Sequence, residues 1–286
     1  MAADRLRRFF LSFSLMLIAV ALGACSTSEV MRTSAPVPTS ASSKYAAIVI
    51  DANSGRTLHA VAADEPRYPA SLTKMMTLYM VFEAIQQGRM TPSTQIPVSA
   101  YAASRPPTKL YLKAGQSVDA DTAMRSLATK SANDVATAVA EYLGGSETRF
   151  ADMMTAKARQ LGMTHTVFRN ASGLPDAQQR TTARDMAVLS LALRRHFPSM
   201  YGYFGLRGFA YRGKTIRGHN KVLDMVSGAD GIKTGYTRAS GFNLATSVSR
   251  DGKRLVAVVM GEKTARERDA LMAQLVERFL PEASRR

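Results

Sequence analysis

The chain has 286 residues, 46% of them apolar, enough for one large domain or two small ones with a substantial core. A formal charge of +16 points to anionic surfaces: nucleic acid, acidic lipid or an anionic polymer. The basic residues are scattered, and no nucleic-acid module or basic-aromatic stripe is present, so nucleic acid is excluded as an expected partner.

At the N-terminus, Arg5, Arg7 and Arg8 precede an apolar run from Phe9 to Leu22. That is a charged region followed by a segment too short to span a bilayer comfortably, which reads as a signal peptide over residues 1–24. Its end, Leu22-Gly23-Ala24-Cys25, resembles the lipobox of bacterial lipoproteins, in which the cysteine is lipidated after cleavage. Cys25 is the only cysteine in the chain, and an unpaired thiol in an exported protein needs such an explanation. Ordinary cleavage near Ala19-Val20-Ala21 or at Ala24, with Cys25 incidental, is the alternative. Removing residues 1–24 leaves a charge of +14. Residues 26–43 are rich in Ser, Thr, Pro and Ala without periodicity and read, behind Cys25, as a flexible tether. Fully extended, it reaches about 60 Å. The expectation is an exported, periplasmic domain held to a membrane through a lipid on Cys25.

Tyr45–Ile50 and Arg56–Val61 read as strands joined by the turn Asp51-Ala-Asn-Ser-Gly55, a hairpin. The segment Pro69–Phe82 follows, with Leu72, Met75, Met76, Tyr79 and Phe82 at helical spacing and Leu78, Met80 and Val81 on the other faces. A helix apolar nearly all round is buried. Its one charge, Lys74, stands three residues after Ser71, so amine and hydroxyl share a face. Burial disfavours the ammonium form, and a neutral amine beside a serine is a base beside a latent nucleophile. Equally, Ser71 reads as an N-cap and Lys74 as a side chain snorkelling to water.

Residues 91–117 are Pro- and Ser-containing, with Arg105-Pro-Pro-Thr-Lys109 an exposed loop. Helical patterns cover about 119–128, 134–143 and 147–161, the second with Val135, Ala138, Val139 and Tyr142 on its inner face. Glu141 and Glu147 read as helix surface. Asn170–Pro175 is a turn cluster, and Thr182-Ala-Arg-Asp185 opens a helix that stops before Pro198. Gly208–Ile216 alternates and reads as one strand. Strands at Asp230–Thr237, Phe242–Val248 and Arg254–Met260 follow, then a helix capped by Thr264 with Leu271, Leu275, Val276 and Phe279 inward. Early strands must pair with late ones to cover their faces, which makes one α+β domain over 44–286 with a helical insertion at about 75–200. His59, His165, His196 and His219 show no metal spacing, so no metal or cofactor is expected, although His219 is placed to shape a cleft.

Two further polar clusters accompany Ser71-x-x-Lys74. Ser131-Ala-Asn133 falls in a break between helices. Lys233-Thr-Gly235 falls on a strand, where the glycine admits a close ligand and the cation and hydroxyl suit an anion. Each alone reads as well as a cap or a turn. The ordered set Ser-x-x-Lys, Ser-x-Asn and Lys-Thr-Gly resembles that of penicillin-binding proteins and class A β-lactamases. With Asn170–Leu174, Gly218–Leu223 and Asp230–Thr237, residues 44–265 resemble the low-molecular-mass penicillin-binding proteins, the serine D-alanyl-D-alanine carboxypeptidases.

The resemblance implies a β-lactamase/transpeptidase-like fold, an antiparallel sheet flanked by helices beside a helical subdomain. It implies Ser71 as acylated nucleophile, Lys74 as its base and Ser131 as proton relay to the leaving D-alanine. Asn133 would hold the substrate amide, Lys233 and Thr234 the terminal carboxylate, with Gly235, Tyr236 and Thr237 lining the strand. The backbone N–H groups of Ser71 and Tyr236 would form the oxyanion hole. Peptidoglycan stem peptides are the implied substrate and β-lactams the implied covalent inhibitors. The β-rich second domain and amphipathic anchor helix common in the family are not found before residue 286, which leaves anchoring to Cys25. Endopeptidase action on cross-links and a non-turnover β-lactam or muropeptide sensor stay open. No Glu-x-x-x-Asn segment lies between Ser131 and Lys233, which argues against an efficient β-lactamase.

Overall fold

The structure, a computed structural model, describes Val37 and residues 39–286. The signal peptide, the lipobox with Cys25 and most of the expected tether therefore lie outside the described residues. No helix among the described residues is long and apolar enough to cross a membrane.

The sheet is built from both ends of the chain. Strands β1 (Ala46–Asp51), β2 (Thr57–Val61), β7 (Ala229–Thr237), β8 (Gly241–Arg250) and β9 (Lys253–Glu262) form an antiparallel sheet in the order β2-β1-β9-β8-β7. The pairing of β1 with β9, Ile48 opposite Val258, is the early-to-late contact that the sequence demanded. Strands are two-faced, so successive residues serve different cores. Ala46, Ile48, Val256, Val258 and Met260 pack toward the helical region. Ala47, Val49, Leu255, Ala257 and Val259 pack under the last helix, α6 (Ala265–Phe279), together with Leu271, Leu275, Val276 and Phe279. Thr264 caps α6 by accepting from the Glu267 N–H at 3.1 Å.

The helical region surrounds α1 (Thr73–Gln86), in which every residue from Thr73 to Phe82 is buried. Around it stand α2 (Ala120–Ala128), α3 (Asn133–Gly144), α4 (Glu147–Gln160) and α5 (Ala183–His196). Phe82 meets Phe197 and Phe204 edge-on at 5.6 and 5.9 Å. Each such buried side chain contributes about 1.5–3 kcal/mol, which holds an unusual helix with no polar face. Thr182 caps α5 through the Asp185 N–H at 3.0 Å, as its sequence implied.

Four expectations are corrected. Gly208–Ile216 is a two-stranded hairpin, β5 (Gly208–Tyr211) and β6 (Lys214–Arg217), because Arg212-Gly213 adopts positive φ and turns the chain back. The region 91–117 contains β3 (Gln95–Pro97), which pairs with β4 (Ser117–Asp119) across an intervening loop that hid the pattern. Tyr142 is exposed, while Val135, Ala138 and Val139 are buried. Glu147 is buried: its Oε1 accepts from Thr137 Oγ1 and the Ala171 N–H, and its Oε2 accepts from Tyr101. Those partners come from three other segments and could not be read from one helix's periodicity.

Candidate active site

The helical region, the sheet edge and the Asn170–Pro175 turn enclose a cleft of about 550 Å³, lined by Ser71, Ser131, Asn133, His219, Thr234 and Tyr236 among others. Ser71 lies in a single 3-10 turn, Ala70–Leu72, that leads into α1. It is no N-cap: the cap position is Leu72, and no side chain caps the helix. Three elements hold the turn. Buried Asn243 on β8 donates through Nδ2 to the Tyr68 and Pro69 carbonyls at 3.0 and 3.1 Å and accepts from the Gly261 N–H at 2.9 Å. Its strand partner Gly235 passes so close that a Cβ there would lie 3.1 Å from the Ser71 nitrogen. Gly173, at φ +81°, abuts from the other side, and a Cβ on it would fall 1.8 Å from the Ala70 oxygen. Ala70 itself sits at φ 48°, a strained conformation for a residue with a side chain.

Lys74 does not snorkel; its exposure is 0%. Its Nζ lies 2.8 Å from Asn133 Oδ1, 2.5 Å from the Ser172 carbonyl and 3.3 Å from Ser71 Oγ. The first two are acceptors only, and Asn133 is oriented because its Nδ2 donates to the Pro106 carbonyl at 2.9 Å. A neutral amine has two N–H groups, which those acceptors consume, and one lone pair, which is left for the Ser71 hydroxyl. Burial holds the Lys74 pKa well below the ordinary lysine range and the Lys233 cation lowers it further, against the opposing pull of Glu147 and Asp134.

Ser131 and Asn133 sit where α2 breaks into α3. Ser131 has φ 62°, and its Oγ, though buried, has no hydrogen-bond partner among the described residues. Asp134 ties the facing loop down: its carboxylate accepts from the N–H groups of Leu110 and Leu112, both at 3.0 Å. This brings Pro107 and Thr108 to the cleft wall, so the segment read as a plain exposed loop also lines the site.

Strand β7 is the sheet edge nearest the cleft. Thr234, Gly235, Tyr236 and Thr237 line the cleft, and Lys233 lies behind them, 1% exposed, donating to the Thr234 carbonyl at 2.9 Å. Burial, then the Arg268 cation, bring the Lys233 pKa down to about 7. Tyr236 stacks on Phe242 with ring centroids 4.1 Å apart. Thr237 Oγ1 pairs with Ser240 Oγ at 2.9 Å, closing the turn into β8. His219 also lines the cleft, its pKa pushed down to about 4 by burial first and then by Lys233, Lys130, Arg268 and Lys74. It is therefore neutral near pH 7 and leaves the charge of the cleft to Arg238 and Arg268, with Lys233 partly protonated.

Every site residue expected from sequence within the described residues is thus in or against one cleft. Sequence reading missed the residues that build the site from behind: Ser172 through its carbonyl, Asn243, Asp134, Glu147 and Arg268. Asp134 and Ser172 fall within segments that carry the resemblance, Ser131–Asp134 and Asn170–Leu174, but no role was assigned to them. Asn243 and Arg268 carried none.

A family model described as D-alanyl-D-alanine carboxypeptidase matches residues 30–264. The D-alanyl-D-alanine carboxypeptidase DacA of Escherichia coli is 35% identical over 236 residues, 80% of this chain and 59% of that protein. The chain spans about 60% of the length of this relative and of DacF of Bacillus subtilis, which is 30% identical. The carboxypeptidase DacD of Francisella tularensis superposes with a TM-score of 0.81 at 30% identity, covering 86% of this chain and 71% of that one. A penicillin-binding protein of Listeria monocytogenes in its cefotaxime-bound form superposes at 0.73 with 27% identity, covering 84% of this chain and 98% of that one. With its α+β architecture shared with these two structures, the chain belongs to the D-alanyl-D-alanine carboxypeptidase family.

Proposed function

We propose that this chain is a serine DD-peptidase that removes the terminal D-alanine from peptidoglycan stem peptides. The observation that carries the reading is the amine of Lys74, fully buried and 3.3 Å from Ser71 Oγ with its two N–H groups already engaged. Ser71 Oγ attacks the carbonyl of the penultimate D-alanine as its proton passes to Lys74 Nζ. The N–H groups of Ser71 and Tyr236 stabilise the oxyanion, a donor of that kind being worth about 3–4 kcal/mol. Ser131, whose hydroxyl has no partner within the described residues, gives its proton to the nitrogen of the departing D-alanine and takes the one held by Lys74 in its place, which leaves that amine neutral again. Asn133 orients Lys74 and the substrate amide. Lys233 and Thr234 receive the terminal carboxylate, which is why a free C-terminus is required. Water, activated by the same amine, then releases the acyl group and restores Ser71. β-Lactams enter the same first step and stay as esters of Ser71.

The domain boundaries form part of this proposal: a signal peptide over 1–24, a lipidated Cys25 with a tether to residue 43, and a catalytic domain over 44–286. Labelling with palmitate in cells, lost in Cys25→Ala, tests the periplasmic anchoring. The activity itself is tested with a D-Ala-D-Ala peptide and labelled penicillin. Released D-alanine and a covalent label, both lost in Ser71→Ala, are expected. A label that never turns over, with no D-alanine, would favour the sensor, and rapid multiple-turnover hydrolysis of penicillin a β-lactamase.

A further inference from the structure

The proposed reaction creates a charge that the groups at the cleft do not balance. When Lys74 takes the Ser71 proton, an ammonium forms in a fully buried site under the influence of the Lys233 cation. A buried charge is costly unless it is paired. Asn133 Oδ1 and the Ser172 carbonyl receive its N–H groups, but both are neutral. Among the described residues, the carboxylates that act on Lys74 are Glu147, in the first turn of α4, and Asp134, in the first turn of α3.

Asp134 is committed to its own surroundings, accepting from the N–H groups of Leu110, Leu112 and Val135. Glu147 is placed differently. It is 8% exposed, and each of its hydrogen bonds is one that it receives, as befits an ionised carboxylate. Its Oε1 accepts from the Ala171 N–H and Thr137 Oγ1, and its Oε2 from Tyr101 Oη, all at 3.1 Å. Ala171 precedes Ser172, whose carbonyl meets Lys74 Nζ. The Ala171 carbonyl accepts from Thr77 Oγ1 at 2.6 Å, and Thr77 stands three residues beyond Lys74 on the same face of α1. The turn that holds the amine is thus pinned to Glu147 on one side and to α1 on the other. We propose that Glu147 is a positioning residue for acylation: it fixes the Ala171–Ser172 turn against Lys74 and supplies the negative charge that balances the ammonium formed there. This rests on the DD-peptidase reading above. Burial and then Lys233 lower the Lys74 pKa, while Glu147 and then Asp134 raise it, which is the sign a counter-charge requires. Lys74 is therefore a stronger base than burial alone would leave. The other titratable groups around this pair are His219 in the cleft, and Arg105 and Glu141 beside Tyr101.

The test is the rate of Ser71 acylation by labelled penicillin from about pH 4.5 to 9.5. The rate falls on the acid side as Lys74 gains a proton. On the alkaline side it falls as Lys233, at about 7, loses the charge that receives the carboxylate. Glu147→Gln keeps the shape and an acceptor for the Ala171 N–H but removes the charge. Its acid limb is expected about one pH unit below that of the wild type, the effect of losing one nearby opposite charge. Its plateau is expected to be about threefold slower, because a weaker base takes the proton. Its alkaline limb is expected to stay, since burial and Arg268 set it. Tyr101 is 49% exposed, so a substitution there leaves the core intact. Tyr101→Lys, which brings a cation to Glu147 Oε2, is expected to move the acid limb down by about half a unit, and Tyr101→Phe to leave it in place. An acid limb that stays or rises in Glu147→Gln, or in Tyr101→Lys should the first variant not fold, would overturn the counter-charge, even with a lower rate at every pH. Absence of label from the wild type at every pH would overturn the peptidase reading instead.

Discussion

Lys233 gives a quantitative prediction because its cost to the fold depends on pH. Its folded pKa of about 7 lies below the ordinary 10.5 through burial and then through Arg268. Between those values the unfolded chain holds a proton that the folded chain does not, so stability rises with pH across that window. The unfavourable contribution is fully present below pH 7 and fades toward 10.5. Each unit is worth about 1.4 kcal/mol, which places the whole penalty at about 5 kcal/mol. Lys233→Met keeps an unbranched side chain and removes the titration; the lost bond to the Thr234 carbonyl adds an offset that does not vary with pH. Urea unfolding of both proteins at several pH values isolates the proton, since groups titrating in both cancel to first order. From about pH 7.5 to 9.5 the wild type should gain roughly 2–3 kcal/mol on the variant. A difference between the two proteins that stays flat across that range would refute the assignment of a buried, discharging amine to this position.

Two other substitutions test the scaffold of the Ser71 turn. Gly173→Ala should abolish acylation by labelled penicillin even where the protein remains folded, because the new methyl falls on the Ala70 carbonyl and must displace the Ser71 turn; undiminished labelling would contradict this. Asn243→Ala removes the side-chain partner of the Tyr68 carbonyl and of the Gly261 N–H, while the Pro69 carbonyl keeps the Leu72 N–H, and should lower unfolding free energy by at least about 2 kcal/mol, at about 1–3 kcal/mol per unsatisfied group. An unfolding midpoint equal to the wild type's would show that water satisfies them.

Much of this fold was legible because its signals are local. The period-two strands, the Thr182 and Thr264 caps and the featureless apolar helix around Lys74 each follow from a short window of sequence. The pairing of β1 with β9 followed from necessity, since neither end could cover its own faces. The three polar clusters were legible as a set, and the cleft unites them. The failures share a cause. The 208–217 hairpin kept alternation through its turn, β3 and β4 are separated by a long loop, and Glu147 is buried by partners distant in sequence. Asn243 looked like any strand residue, although it carries the backbone leading into the Ser71 turn.

The central claim is that the amine of Lys74 is uncharged at neutral pH and bound to the Ser71 hydroxyl through its lone pair. NMR titration of the protein labelled with 13C at the lysine ε position, with Lys74 assigned by its loss in Lys74→Arg, reads that charge directly. A neutral-amine shift for Lys74 at pH 7, moving only on acidification, is predicted. An ammonium shift that persists beyond about pH 9, near the ordinary lysine range, would contradict it.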